Sequence, residues 1–92
     1  MTTAVKPVKM FMFEGCPHCR HARELMAELF AEHPEYKNVP FEMIDEKKHP
    51  EIAEQYDYYY VPTFFVAGEK VHEGVPTKDA VEKVFRTALM EQ

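Results

Sequence analysis

Ninety-two residues hold one small domain (1–92) and leave no room for a second core. The apolar share of 46% is enough for that core, and a formal net charge of −5 speaks against nucleic acid as a partner. Met1–Lys6 is too short and polar for a signal peptide, and no run reaches the length of a membrane span, so a cytoplasmic chain without membrane contact is expected.

The first predicted element is the apolar run Val8–Phe13, which reads as a strand buried on both faces. Cys16-Pro17-His18-Cys19 follows, with the only two cysteines of the chain. From Pro17 to about His33 the spacing predicts a helix, with Ala22, Leu25, Met26, Leu29 and Phe30 as its apolar stripe. Arg20, Arg23, Glu24 and Glu28 fall on its wet side, and Pro34 stops it. Val39–Asp45 is a second strand and Pro50–Tyr56 a short helix with Pro50 at its first position. Thr63–Ala67 and Lys70–Glu73 are strands joined by a tight turn at Gly68-Glu69. Thr77 caps a last helix from Lys78 to about Met90, with Ala80, Val81, Val84, Phe85 and Ala88 inward. The order βαβαββα predicts an α/β fold. A right-handed crossover makes the first two strands parallel, the last two form a hairpin, and helices cover both faces of a four-stranded mixed sheet. Cys16 then lies at the carboxyl end of a central strand, where open α/β sheets bind ligands.

Three chemistries suit a cysteine pair at this spacing. A structural disulfide would close a loop of only two intervening residues and restrict the unfolded chain little. A metal site would draw on Cys16, His18, Cys19 and His21, but structural zinc usually uses two separated ligand pairs and no second cysteine pair exists. A redox dithiol fits best. If the helix begins at Cys16, this residue is the N-cap, Pro17 is N1 and Cys19 is N3. The Cys16 sulfur then accepts from backbone N–H groups at the positive end of the helix dipole, and both effects favour the nucleophilic thiolate. The partner thiol one turn along lies within disulfide range.

Cys16-Pro17-His18-Cys19 and Val61-Pro62-Thr63, in this order and at this distance, resemble the thioredoxin superfamily over nearly the whole chain. The compact form, without an extra N-terminal βα unit, resembles glutaredoxins. The stretch Ile44-Asp45-Glu46 through Pro50-Glu51-Ile52-Ala53 to Tyr56-Asp57 is similar to thioredoxin proper. The resemblance implies a thioredoxin-like fold and thiol–disulfide exchange by Cys16 and Cys19. It further implies a cis Pro62 packed beside the cysteines and a backbone edge at Val61 that docks an extended substrate. It implies no metal and no cofactor beyond the redox-active disulfide. Its partners are protein disulfides and a thiol or flavoprotein reductant, and the chain is taken as a monomer.

Departures from the pattern shape the expected substrate. Met10 stands where thioredoxins carry a buried acid, Phe13 lies near the glutaredoxin lysine position, and Glu73-Gly74 replaces a Gly-Gly pair. These changes remove contacts for glutathione, and Glu73 is expected to repel it. Glutathione-dependent glutaredoxin chemistry and an iron–sulfur or metal module using Cys16 are the alternatives. Pro17-His18 resembles the dipeptide of DsbA-type oxidases, which implies a potential more oxidising than thioredoxin's; the bland reading makes His18 a solvated spacer. Among Tyr56, Tyr58, Tyr59 and Tyr60, some line the groove beside Cys16 or all pack beneath the loop; Tyr60 is the candidate for substrate contact. Glu14 is either a proton acceptor or a surface charge. Met10, Met12, Met26 and Met43 are expected as core filler.

Overall fold

A computed structural model describes residues 5–89. Met1–Ala4, which bear on the expectation of no signal peptide, and Met90, at the expected end of the last helix, lie outside them. The elements are β1 (Val8–Met12), α1 (Pro17–Glu32), a 3-10 turn (Pro34–Asn38), β2 (Phe41–Asp45), α2 (Pro50–Ala53), β3 (Thr63–Val66), β4 (Glu69–Glu73) and α3 (Lys78–Leu89). The sheet order is β2-β1-β3-β4. β1 pairs parallel with β2 and antiparallel with β3, and β3 pairs antiparallel with β4. No described helix is long and apolar enough to cross a membrane.

The two sheet faces carry different cores. On one side α1 and α3 cover Val8, Met10, Met12, Phe64 and Val66, with Phe85 at the centre. Phe85 meets the rings of Phe30, Tyr36 and Phe41, which ties α3 to α1, the 3-10 turn and β2. Alternation along the strands sends Phe11, Ile44 and Phe65 to the other side, against Ile52, Ala53, Tyr56 and Tyr58. Both faces of β1 are therefore largely buried, as its dense apolar run requires, with half-buried Lys9 reaching Glu42 at 3.1 Å.

Several boundaries differ from those read in the sequence. β1 ends at Met12 because Phe13 turns its carbonyl to the Cys16 N–H at 3.2 Å. β2 starts at Phe41 because Val39 closes the 3-10 turn, its N–H donating to the Tyr36 carbonyl at 3.2 Å. α2 stops at Ala53, and Tyr56 leaves helical geometry with its ring against Phe11 and Phe65. The hairpin turn is Ala67-Gly68, not Gly68-Glu69. Both residues have positive φ (51° and 87°), the conformation that two-residue hairpin loops favour, so β4 begins at Glu69. Met43 is 40% exposed rather than core, because β2 is an edge strand.

Candidate active site

β1 delivers the chain to the sheet's carboxyl edge, and Glu14-Gly15 turn it into α1. Gly15 has φ +91°, a conformation that side-chain-bearing residues rarely adopt. Cys16 is the N-cap with extended backbone, and Pro17 occupies the first helical position. The Cys19 N–H donates to Cys16 Sγ at 3.1 Å. The sulfur thus does what a capping oxygen does, and it faces the positive end of a 16-residue helix.

The two thiols have different surroundings. Cys16 is 6% exposed and borders a hollow shared with Gly15, Arg20 and Arg23. Cys19 is 1% exposed and packs into the core beneath it. Burial pushes the Cys19 thiol up to about 12, and its hydrogen bond with Cys16 adds to this. At neutral pH Cys19 holds its proton. Negative charge on Cys16 and Glu46 opposes its loss further, while the Phe13 backbone acts the other way.

Glu46 had drawn no functional reading from sequence. Its N–H donates to the Met12 carbonyl at 2.8 Å, and its carboxylate accepts from Tyr58 Oη at 2.7 Å. Asp45, at the end of β2, fastens the neighbouring loops. Its carboxylate accepts from the N–H groups of Glu14, Lys47 and Lys48, which hold its proton affinity below the usual range although desolvation acts the other way. Glu14 itself is exposed and meets Asp45 through its backbone. Met10 is fully buried, an apolar side chain at the position of the expected departure from the thioredoxin pattern.

Val61 and Pro62 lie between the tyrosine segment and β3, and the peptide bond between them is cis. The Gly74 N–H donates to the Pro62 carbonyl at 3.0 Å. The hydroxyl of buried Thr63 donates to the Tyr60 carbonyl. His18, Tyr60, Val61, Gly74 and Val75 surround a mainly apolar hollow of about 350 Å³. His18 thus faces the Val61 loop across this hollow. The tyrosines divide: Tyr56 and Tyr58 pack beneath the loop on Phe11, whereas Tyr59 (86%) and Tyr60 (70%) are exposed.

Glu73 is engaged within the chain. One carboxylate oxygen accepts from the N–H groups of both Tyr59 and Tyr60, and the other accepts from Lys70 Nζ at 2.8 Å. Lys70 also donates to the Asp57 carbonyl at 3.1 Å. The charge expected to repel an anionic ligand is committed to holding the tyrosine segment, because β4 pairs Glu73 with Thr63 beside it. The Lys70 ammonium, followed by the two backbone donors, pulls the Glu73 carboxyl down to about 2. A depressed folded value means its contribution is complete above the usual 4.5 and disappears as pH falls toward 2. Thermal midpoints measured from pH 6 to pH 2 should fall more steeply for the wild type than for Glu73→Gln. Parallel curves would remove Glu73 from this role.

The remaining histidines do not join the cysteines. His21 pairs with Glu24, and His33 with Glu35 and Glu82. His49 precedes α2 and pairs with Glu51, and the His72 ring meets the Gly74 and Val75 carbonyls. Among the described residues, no group of three His, Cys, Asp or Glu side chains is arranged to hold a metal ion.

A family model described as Thioredoxin domain matches residues 6–86. A thioredoxin of Methanocaldococcus jannaschii is 30% identical over 82 residues, spanning 89% of this chain and 94% of that protein. Glutaredoxin 3 of Danio rerio is 35% identical over 74 residues, 76% of this chain and only 22% of that longer protein. The solution structure of oxidised thioredoxin from Plasmodium falciparum has a TM-score of 0.70 at 19% identity, covering 94% of this chain and 83% of that one, which is a likeness of fold. With a domain model spanning almost the whole chain and a relative similar along nearly its full length, this chain belongs to the thioredoxin family, and a thiol–disulfide redox role comes with that membership.

Proposed function

We propose that this protein exchanges a Cys16–Cys19 dithiol with disulfides of polypeptide substrates. The observation that carries the reading is the asymmetry of the pair. Cys16 Sγ receives a backbone N–H at a helix N-terminus, while Cys19 is buried one turn along and held as a thiol. The Cys16 thiolate attacks one sulfur of the substrate disulfide, forms a mixed disulfide and expels the other sulfur as a thiolate. Cys19 then gives up its proton and attacks Cys16 Sγ, expelling the second substrate thiolate. The substrate gains two electrons and two protons in total, and the protein is left with a Cys16–Cys19 disulfide. A thiol or flavoprotein reductant restores the dithiol.

The Val61 backbone and the exposed Tyr60 ring flank the apolar hollow and suit an extended peptide. Pro17 fixes the first helical turn, and His18, between the two cysteines in sequence, borders the same hollow and is the residue placed to tune the pair's potential.

Cys19→Ser tests the order of attack. Incubated with a disulfide-containing polypeptide, this variant should accumulate a covalent adduct on Cys16 that dithiothreitol releases, while wild type accumulates none. If the variant forms no adduct although wild type reduces the same substrate, Cys19 is not the resolving thiol.

A further inference from the structure

Arg20 and Arg23 follow Cys16 by four and seven residues and so share its side of α1. Both guanidinium-bearing residues line, with Gly15 and Cys16, a hollow of about 240 Å³ at the sulfur. The acids of α1 have other neighbours: the His21 ring lies 3.6 Å from Glu24, and Glu28 and Glu32 pair with Lys78 of α3. Among the described residues neither arginine is ion-paired, and Glu14 is the carboxylate-bearing residue of the adjoining loop. An acidic chain thus carries two uncommitted cations at the mouth of its nucleophile.

We propose that Arg20 and Arg23 make this mouth a carboxylate-reading site, so that the favoured substrates are polypeptide disulfides with Asp or Glu beside the attacked cysteine. The inference rests on Cys16 being the attacking sulfur. A carboxylate brought toward a sulfur anion is repelled. Two guanidinium groups beside both anions offset that repulsion, and their planar forks match carboxylate geometry. The gain belongs to encounter and selection between substrates, and it weakens as salt screens the charges.

The test uses peptides of one length and one disulfide, with Glu, Gln or Lys flanking one cysteine, and glutathione disulfide as a separate arm. Reduced wild type and the Arg20→Gln/Arg23→Gln double variant are followed by stopped flow at low and high salt. Wild type should reduce the Glu peptide about tenfold faster than the Gln peptide at low salt, with the preference shrinking at high salt. In the double variant the ratio of Glu to Gln peptide rates should fall to about one, with any change from losing two cations beside Cys16 common to both peptides. Equal Glu and Gln rates in wild type, or a Glu preference that survives in the variant, would each overturn the proposal. Glutathione disulfide should lose no more than the Gln peptide does, and a loss matching the Glu peptide's would reassign the site to a small thiol. If wild type reduces none of the peptides, the oxidoreductase reading itself fails.

Discussion

Cys16→Ser should lower disulfide-exchange activity by at least about 10⁴-fold while leaving the fold intact. A serine hydroxyl is a far weaker acid and a far poorer nucleophile than a thiol, so the attacking anion is gone. The helix end, by contrast, tolerates the change. Serine is among the preferred N-cap residues, and its oxygen accepts the bond that the Cys19 N–H now gives to sulfur. The thermal midpoint should therefore move by only a few degrees. Cys16→Ala separates the two roles, because it removes nucleophile and cap together and should cost about 1 kcal/mol of stability in addition. Turnover of a disulfide substrate, read beside thermal melts of all three proteins, decides the matter. Substantial activity in the serine variant, or a collapse of stability without reduction of the wild-type rate, would make the pair structural rather than catalytic.

What could be read in the sequence was what local rules control. A dense apolar run, interrupted only by Lys9, is visible in six letters, and so is a proline one place after a cysteine that caps a helix. The crossover and the hairpin follow from element order and chirality, without any side-chain detail. Features set by distant partners were hidden. Pro34 reads as a stop, yet it also opens the 3-10 turn that buries Tyr36 against Phe85, far along the chain. Tyr36 Oη donates to Glu82 at 2.8 Å, and burial with that carboxylate pushes the phenol up to about 12. Glu73 looked like a free charge because nothing local shows that the β3–β4 register carries it to the Tyr59 and Tyr60 amides. The helical spacing puts Arg20 and Arg23 on the wet side of α1, where both are exposed, but only the folded loop at Gly15 makes that side a hollow at Cys16.

Phe11→Ala should destabilise the domain by about 3–5 kcal/mol, the range for deleting a fully buried phenylalanine. Phe11 lies at the middle of the sheet on the face that α2 and the tyrosine segment cover, and it is wholly inaccessible to solvent. Its ring contacts Tyr56 at 4.8 Å, Tyr58 at 4.9 Å and Phe65 at 5.7 Å between centroids. Among the described residues that face has only Phe11, Ile44 and Phe65 as buried apolar side chains, so little remains to fill the space. The cavity term therefore adds to the lost transfer energy and to aromatic contacts of about 0.5–1.5 kcal/mol per pair. At about 0.05–0.15 kcal/mol per residue, a domain this small has little stability beyond such a loss. Denaturant titrations should show a much lower midpoint with an unchanged slope. The damage should also reach the site, since Tyr58 leads through Tyr59 and Tyr60 to Val61 and holds Glu46 by its hydroxyl. In conditions where the variant is still folded, it should alkylate at Cys16 as wild type does but reduce polypeptide disulfides more slowly, because Cys16 sits at the start of α1 and the proposed docking edge at Val61 does not. A loss below about 1 kcal/mol would mean that the tyrosine face closes over the gap and contributes little to the fold.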